Sequence, residues 1–241
     1  MIPCSNCTLR KLPAFKTLEP SRVAFIQKVK SAHVSFGPGV DIIAPEQDSD
    51  EMYTLFSGWA FRYKELADGR RQILNFLLPG DLVGLQASMF NAAQHGIATL
   101  TDVQLCVLPR RKVWTIFETM PDLAFDITWL GAREESILDQ NLMAIGRMNA
   151  RERIAALIIG LYKRCNALGL AKEGVFAFPL NQHHISDALG LSLAHTNKTL
   201  AYLRRIGMFT LEGGTMDLTN PRALQRMAQV FDAEFQARPL I

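Results

Sequence analysis

The sequence predicts an α+β chain: a β-rich N-terminal half, one long central helix, and a helix-turn-helix followed by a hairpin. Three observations carry this reading. Short alternating apolar segments run from about residue 20 to 115, an unbroken helical apolar rhythm follows Pro121, and two helical patterns flank a tight turn in "NQHHISDALGLSLAHTNKTLAYLRRIG". At 241 residues the chain is long enough for two domains, each with its own core.

The β half alternates in register with a pleated strand. In "GWAFRYKEL", Trp59, Phe61 and Tyr63 share one face, and Arg62 and Lys64 share the other. "ADGR" supplies a hairpin turn, because Asp68-Gly69 tolerates the positive φ that tight turns need. Several short strands at this pitch predict a sandwich or barrel. After Pro121, which suits a first helical turn, Leu123, Ile127, Leu130, Ile137 or Leu138, Leu142 and Ile145 recur at helical spacing. Glu134 and Asn141 interrupt a strict heptad, so this helix is expected to pack both on its own domain and on a partner helix, or else to be a plain core helix. A second helix is expected from about Ala150 to Leu168, ended by Gly169.

Further along, Gln182 to Leu189 has helical spacing, "GLS" turns the chain with Ser192 placed to cap, and Leu193 to Ile206 forms the next helix. A helix that enters a DNA groove should be polar on its outer face. His195, Asn197 and Lys198 are polar, while Leu200 and Leu203 can face inward. "MFTLEGGTMDL" then reads as a hairpin turning at Gly213-Gly214, a wing.

Charge points the same way. Residues 151–241 carry eleven Lys/Arg against seven Asp/Glu, whereas residues 121–150 carry two basic and five acidic side chains. The basic surplus of the C-terminal third suits a polyanion such as DNA. With 49% hydrophobic and 20% charged residues, no run of 18 apolar residues and no signal-peptide core, the chain is expected in the cytoplasm and not in a membrane. Four cysteines are too few for a disulfide framework.

The order of these elements, with the runs "SGWAFRYKELADGRRQILNFLLPGDLVGL", "NARERIAALIIGLY" and "ISDALGLSLAHTNKTLAYLRRIGM", resembles the Crp/Fnr family of bacterial transcription regulators over nearly the whole chain. The resemblance implies a β jelly-roll, cyclic-nucleotide-binding-like sensor domain over residues 1–120, a dimerisation helix over 121–147 and a winged helix-turn-helix over 148–241. It implies a homodimer on a palindromic double-stranded DNA operator, with RNA polymerase as a further partner. Leu193, Ala194, Asn197 and Lys198 fall where the family reads bases, and Gln182, His183, Ser192 and His195 where phosphates are held. Glu and Arg of the best-known members are replaced by Ala194 and Lys198, so their target sequence does not carry over. The dimer seam is expected at Ile127, Leu130, Ile137, Leu138, Leu142 and Ile145.

Some members bind cyclic AMP through a Gly-Glu-Leu turn and an Arg-Ser pair. Gly80-Asp81-Leu82 resembles the turn, but Ala93 and Gln94 stand at the pair, and no arginine lies between Arg71 and Arg110. Without a cation for the phosphate, no cyclic-nucleotide binding is expected. Haem would need His33, His95 or a cysteine. A cupin-like enzyme would need clustered ligands that the barrel lacks, and no catalytic motif stands out, so no enzyme is expected. Fnr-type oxygen sensors hold an iron–sulfur cluster on Cys-x-x-Cys-x5-Cys and a fourth cysteine. Cys4, Cys7 and Cys106 match three positions, the third motif position is Pro13, and Cys165 falls elsewhere. The favoured expectation is no cofactor, with Cys4 and Cys7 as free thiols on a tail and Cys106 as a small buried strand residue. A cluster-bearing redox sensor is the alternative.

Overall fold

A computed structural model describes residues 2–47, 49–90, 92–229 and 236–241. The chain forms two compact units: Met1–Lys64, Asn75–Ser136 and Gln236–Ile241 make the first, and Glu65–Leu74 with Ile137–Phe235 make the second.

In chain order the elements are α1 (Pro20–Val29), β1 (Ala32–Phe36), β2 (Asp41–Ile43), β3 (Glu51–Ser57), β4 (Ala60–Glu65), β5 (Arg71–Leu77), β6 (Leu82–Val83), α2 (Leu85–Phe90), β7 (Gly96–Thr99) and β8 (Val103–Pro109). Then come α3 (Arg111–Thr119), α4 (Pro121–Arg147), α5 (Ala150–Ala167), β9 (Ala171–Lys172), β10 (Val175–Ala177), α6 (Gln182–Leu189), α7 (Leu193–Arg205), β11 (Thr210–Glu212), β12 (Thr215–Asp217) and α8 (Pro221–Met227).

The β half is two four-stranded sheets, ordered β1-β8-β3-β6 and β2-β7-β4-β5. Their inward side chains interdigitate: Leu55 and Leu105 from one sheet meet Leu77 and Ile97 from the other in a single buried cluster. A second cluster lies under the helices, where Ile26 and Val29 of α1, Ile116 of α3 and Leu123, Ile127 and Leu130 of α4 pack with Met52 and Leu108. In β4 the residues Ala60 to Tyr63 are buried on both faces, so Arg62, on the face opposite Phe61 and Tyr63, is buried too. Its charge is held by Glu134 of α4 at 2.8 Å.

Two chain ends join this unit. The N-terminal residues form short 3-10 turns at Cys4–Asn6 and Thr8–Lys11, with Cys4 and Leu9 buried. Residues 236–241 form a strap along them: Lys16 N donates to Arg238 O at 2.8 Å and Arg238 N to Ala14 O at 2.9 Å. Leu240 and Ile241 are buried. The expected domain boundaries did not include this return, nor the inclusion of the hairpin tip Glu65–Leu74 in the second unit. Residues 230–235 of the expected C-terminal domain lie outside the described residues.

In the second unit, α5 opens on a capping box between Asn149 and Glu152 and buries Ile154, Ile158 and Leu161. The sheet β11-β12-β10-β9 and the helices α6 to α8 complete it. Among the described residues no helix is long and apolar enough to cross a membrane.

Candidate DNA interface

The sequence fixes α6 and α7 by local chemistry. Asn181 caps α6, its side-chain oxygen accepting from His184 N at 2.9 Å while His184 Nδ1 accepts from Asn181 N at 3.2 Å. Burial and the nearby Arg71 hold the His184 pKa below its usual value, which keeps the ring neutral for this acceptor role. Gly190 ends the helix at φ +61, the left-handed conformation that a Cβ disfavours. Ser192 then caps α7, accepting from His195 N at 3.3 Å.

The two helices pack through Ile185, Ala188 and Leu189 of α6 and Thr196, Thr199, Leu200 and Leu203 of α7. This leaves Leu193, Ala194, Asn197 and Lys198 exposed on α7, together with Ser192 and His195 at its start and Gln182 and His183 at the start of α6. Arg153 of α5 ties the unit together by donating to Leu189 O at 3.0 Å. Arg71 pairs with Asp187 at 2.9 Å, which orients the last turns of α6. In the wing, Gly213 and Gly214 both have positive φ, as a two-residue hairpin requires.

Sequence reasoning missed three basic side chains here. Arg204 and Arg205 are exposed seven residues beyond Asn197 and Lys198, so they continue the same outward face. Arg151 stacks on Tyr202, 4.0 Å from the ring centroid. The seven-residue repeat was the signal for the first two; the stack had none.

The expected seam on α4 divides. Ile127 and Leu130 are core residues of the first unit, since the helix lies against α1 and α3 there. Ile137, Leu138 and Ile145 are half-buried and Leu142 is 71% exposed. Glu134 and Asn141, which break the heptad, are engaged within the chain. Glu134 accepts from Arg62 and Asn75, and Asn141 donates to Leu74 O at 2.7 Å.

In the sensor half, Gly80 has φ +88 with the Phe15 ring against it, so a Cβ there would come within 2.2 Å of that ring. The fully buried Asp81 accepts from Leu78 N at 2.8 Å and is paired with Arg133 and Arg238. Leu82 is buried in β6. The carboxylate at the expected effector turn is thus engaged by this chain's own cations. His95 Nε2 accepts from Arg62 Nε at 3.1 Å, so that nitrogen is engaged within the chain, and burial, then Arg62 and Lys64, push the His95 pKa down to about 4.

The cysteines are not on a loose tail. Cys4 is buried beside Ile26 and Val29, Cys7 is half-buried, and both line one narrow cavity with Cys106 and His33. Cys106 Sγ lies 3.3 Å from His33 Nε2. The free volume is about 10 Å³, room for about one water. Among the described residues no group of three or more His, Cys, Asp or Glu converges to hold a metal ion. Three thiols line this cavity, and Pro13 stands where the cluster motif has its third cysteine.

A two-sheet β domain joined through a long helix to a winged helix-turn-helix defines a class of DNA-binding proteins with an attached sensor fold. Residues 33–120 match the cyclic nucleotide-binding domain model, and residues 152–227 match the Crp-like helix-turn-helix domain model. The nitrogen fixation regulation protein FixK of Bradyrhizobium diazoefficiens is 29% identical over 226 residues, covering 93% of each chain. The transcriptional activator protein FnrL of Cereibacter sphaeroides is 26% identical, covering 87% of this chain and 85% of its own. The solved structure of FixK2 from Bradyrhizobium japonicum superposes with a TM-score of 0.76 at 25% identity, over 85% of this chain and all of that one. The chain belongs to the Crp/Fnr family: it is a DNA-binding transcription regulator and not an enzyme.

Proposed function

We propose that this regulator works in the cytoplasm as a homodimer on a palindromic double-stranded operator, where it acts on RNA polymerase. One observation carries the reading. α7 buries Thr196, Thr199, Leu200 and Leu203 and turns Leu193, Ala194, Asn197 and Lys198 to solvent, the division a helix needs if it is to enter a major groove. Asn197 reads adenine and Lys198 guanine, while Gln182, His183, Ser192 and His195 hold phosphates. Dimerisation uses the exposed flank of α4 at Leu138, Leu142 and Ile145, which follow one another at helical spacing; Ile137 borders it.

Cyclic AMP is not the signal. The turn Gly80-Asp81-Leu82 has its carboxylate engaged by Arg133 and Arg238, and the positions of the phosphate-binding pair hold Ala93 and Gln94. The favoured reading has no iron–sulfur cluster, because Pro13 stands at the third motif position and leaves three thiols, Cys4, Cys7 and Cys106, at the cavity.

Binding measured at matched salt on specific and unrelated duplexes tests the DNA-contact assignments. Lys198→Ala should cost roughly 1–3 kcal/mol at the operator and little elsewhere. His183→Ala should weaken both duplexes alike. Unchanged operator binding by Lys198→Ala would remove that residue from the base-reading set.

A further inference from the structure

Three thiols line one cavity, and two cations, Arg10 and Lys30, line it with them. Lys30 is 8% exposed and faces Cys106. Arg10 also lines the cavity, and its Nε is buried without a hydrogen-bond partner. Two positive side chains repel a metal cation but favour thiolate and the departing oxygen of a peroxide. His33 Nε2, 3.3 Å from Cys106 Sγ, adds a third polar nitrogen. The three cysteines differ in access. Cys4 is 6% exposed and packed in the core, Cys106 is 6% exposed within β8, and Cys7 is half-buried between the two 3-10 turns.

We propose that Cys7 and Cys106 form a reversible oxidation site for hydrogen peroxide or a small organic peroxide, closing to a disulfide within one chain. The Cys7 thiolate attacks one peroxide oxygen: an S–O bond forms, the O–O bond breaks, and the leaving oxygen takes a proton and departs as water or alcohol. Cys7 is then a sulfenic acid. The Cys106 thiol attacks its sulfur, the S–S bond forms, and the displaced hydroxide leaves with the Cys106 proton as water. Two thiols lose two electrons and two protons, and the peroxide is reduced. Cys106 completes the pair because its side chain lines the same cavity as that of Cys7. Cys7 is the more accessible of the two and Cys106 is buried, so the first attack falls to Cys7.

Closure would staple the N-terminal segment onto β8, at the register where Cys106 lies opposite His33 of β1 and Thr54 of β3. The same segment, through Ala14 and Lys16, holds the strap at Arg238. Oxidation therefore fastens both chain ends to the β domain. The site stands independently of which residues read DNA.

The test treats the purified full chain, its iron content measured, with equimolar hydrogen peroxide in the presence and absence of a chelator. Peptide mapping without reductant should find a Cys7–Cys106 cross-link, lighter by two hydrogens and reversed by dithiothreitol. Cys165 should stay reduced, since burial pushes its pKa up to about 12. Cys7→Ser should abolish the cross-link completely. Cys106→Ala should leave Cys7 as a sulfenic acid trapped by dimedone, and because Cys7 is half-buried its serine variant decides the matter if the Cys106 variant fails to fold. A Cys4–Cys7 or intermolecular disulfide, no reaction, or a reaction that the chelator prevents would each overturn the proposal.

Discussion

His95 shows how a single buried side chain sets a pH limit on the β domain. Its folded pKa lies near 4 because burial, Arg62 and Lys64 all disfavour the imidazolium. The unfolded chain, with a pKa near 6.5, therefore takes up the proton first. Stability is held above that value and lost as pH falls toward 4. Between pH 7 and pH 5 the loss from this residue should be about 2 kcal/mol. His95→Asn keeps an oxygen acceptor for Arg62 Nε and should flatten the slope, which urea denaturation at the two pH values would measure. If the variant keeps the wild-type slope, another group carries it. Gly80 and Gly190 make a second contrast. Both have positive φ, but a Cβ at Gly80 meets the Phe15 ring, whereas at Gly190 it meets only Ile145 at 3.7 Å. Gly190→Ala should cost about 1–2 kcal/mol of backbone strain. Gly80→Ala should cost clearly more in thermal unfolding, and equal losses would refute the role given to Phe15.

At the scale of elements, what was legible was local. The helical spacing of Gln182 to Leu189, the turn at Gly190 and the Ser192 cap are all local in sequence, so α6 could be bounded to the residue and α7 to within one. The Gly213-Gly214 wing and the end of α5 near Gly169 follow for the same reason. What was not legible depended on partners far along the chain. Arg62 reads as solvent-facing by strand alternation and is buried because Glu134, 72 residues away, supplies the counter-charge. Glu134 and Asn141 read as interruptions of a seam and are inward anchors of α4. Ile127 and Leu130 carry the same periodicity as Leu138 and Leu142, and periodicity alone cannot tell a core face from a partner face. The distinction gives a test. Leu138→Glu with Leu142→Glu should drive the protein to monomers in sedimentation and lower its operator affinity while leaving the fold intact, whereas Leu130→Glu should unfold the β domain by burying a charge. A double variant that still sediments as a dimer would move the seam elsewhere.

For the whole molecule the strap of residues 236–241 is the organising surprise, since it returns the chain from the helix-turn-helix unit to the β domain. Arg238 is 6% exposed, donates to Pro79 O at 2.8 Å, pairs with Asp81 and stacks 5.0 Å over Phe15. Removing its charge takes one of the paired cations from the buried Asp81, with Arg133 at 3.4 Å. Arg238→Ala should therefore destabilise the β domain by about 3–5 kcal/mol, as breaking a buried pair does. Chemical denaturation followed by tryptophan fluorescence would measure it, and a loss below 1 kcal/mol would show that the strap is only an ornament of the surface. The pairing of Ala14 and Lys16 with Arg238 also bears on how the chain is made. These partners leave the ribosome far apart in time, and at roughly 5–20 residues per second the Phe15 face waits on the order of tens of seconds for its cover. The β domain begins to form early in synthesis but closes last, so a nascent chain halted before residue 236 would carry an open apolar flank, the kind of surface that chaperones hold and proteases find.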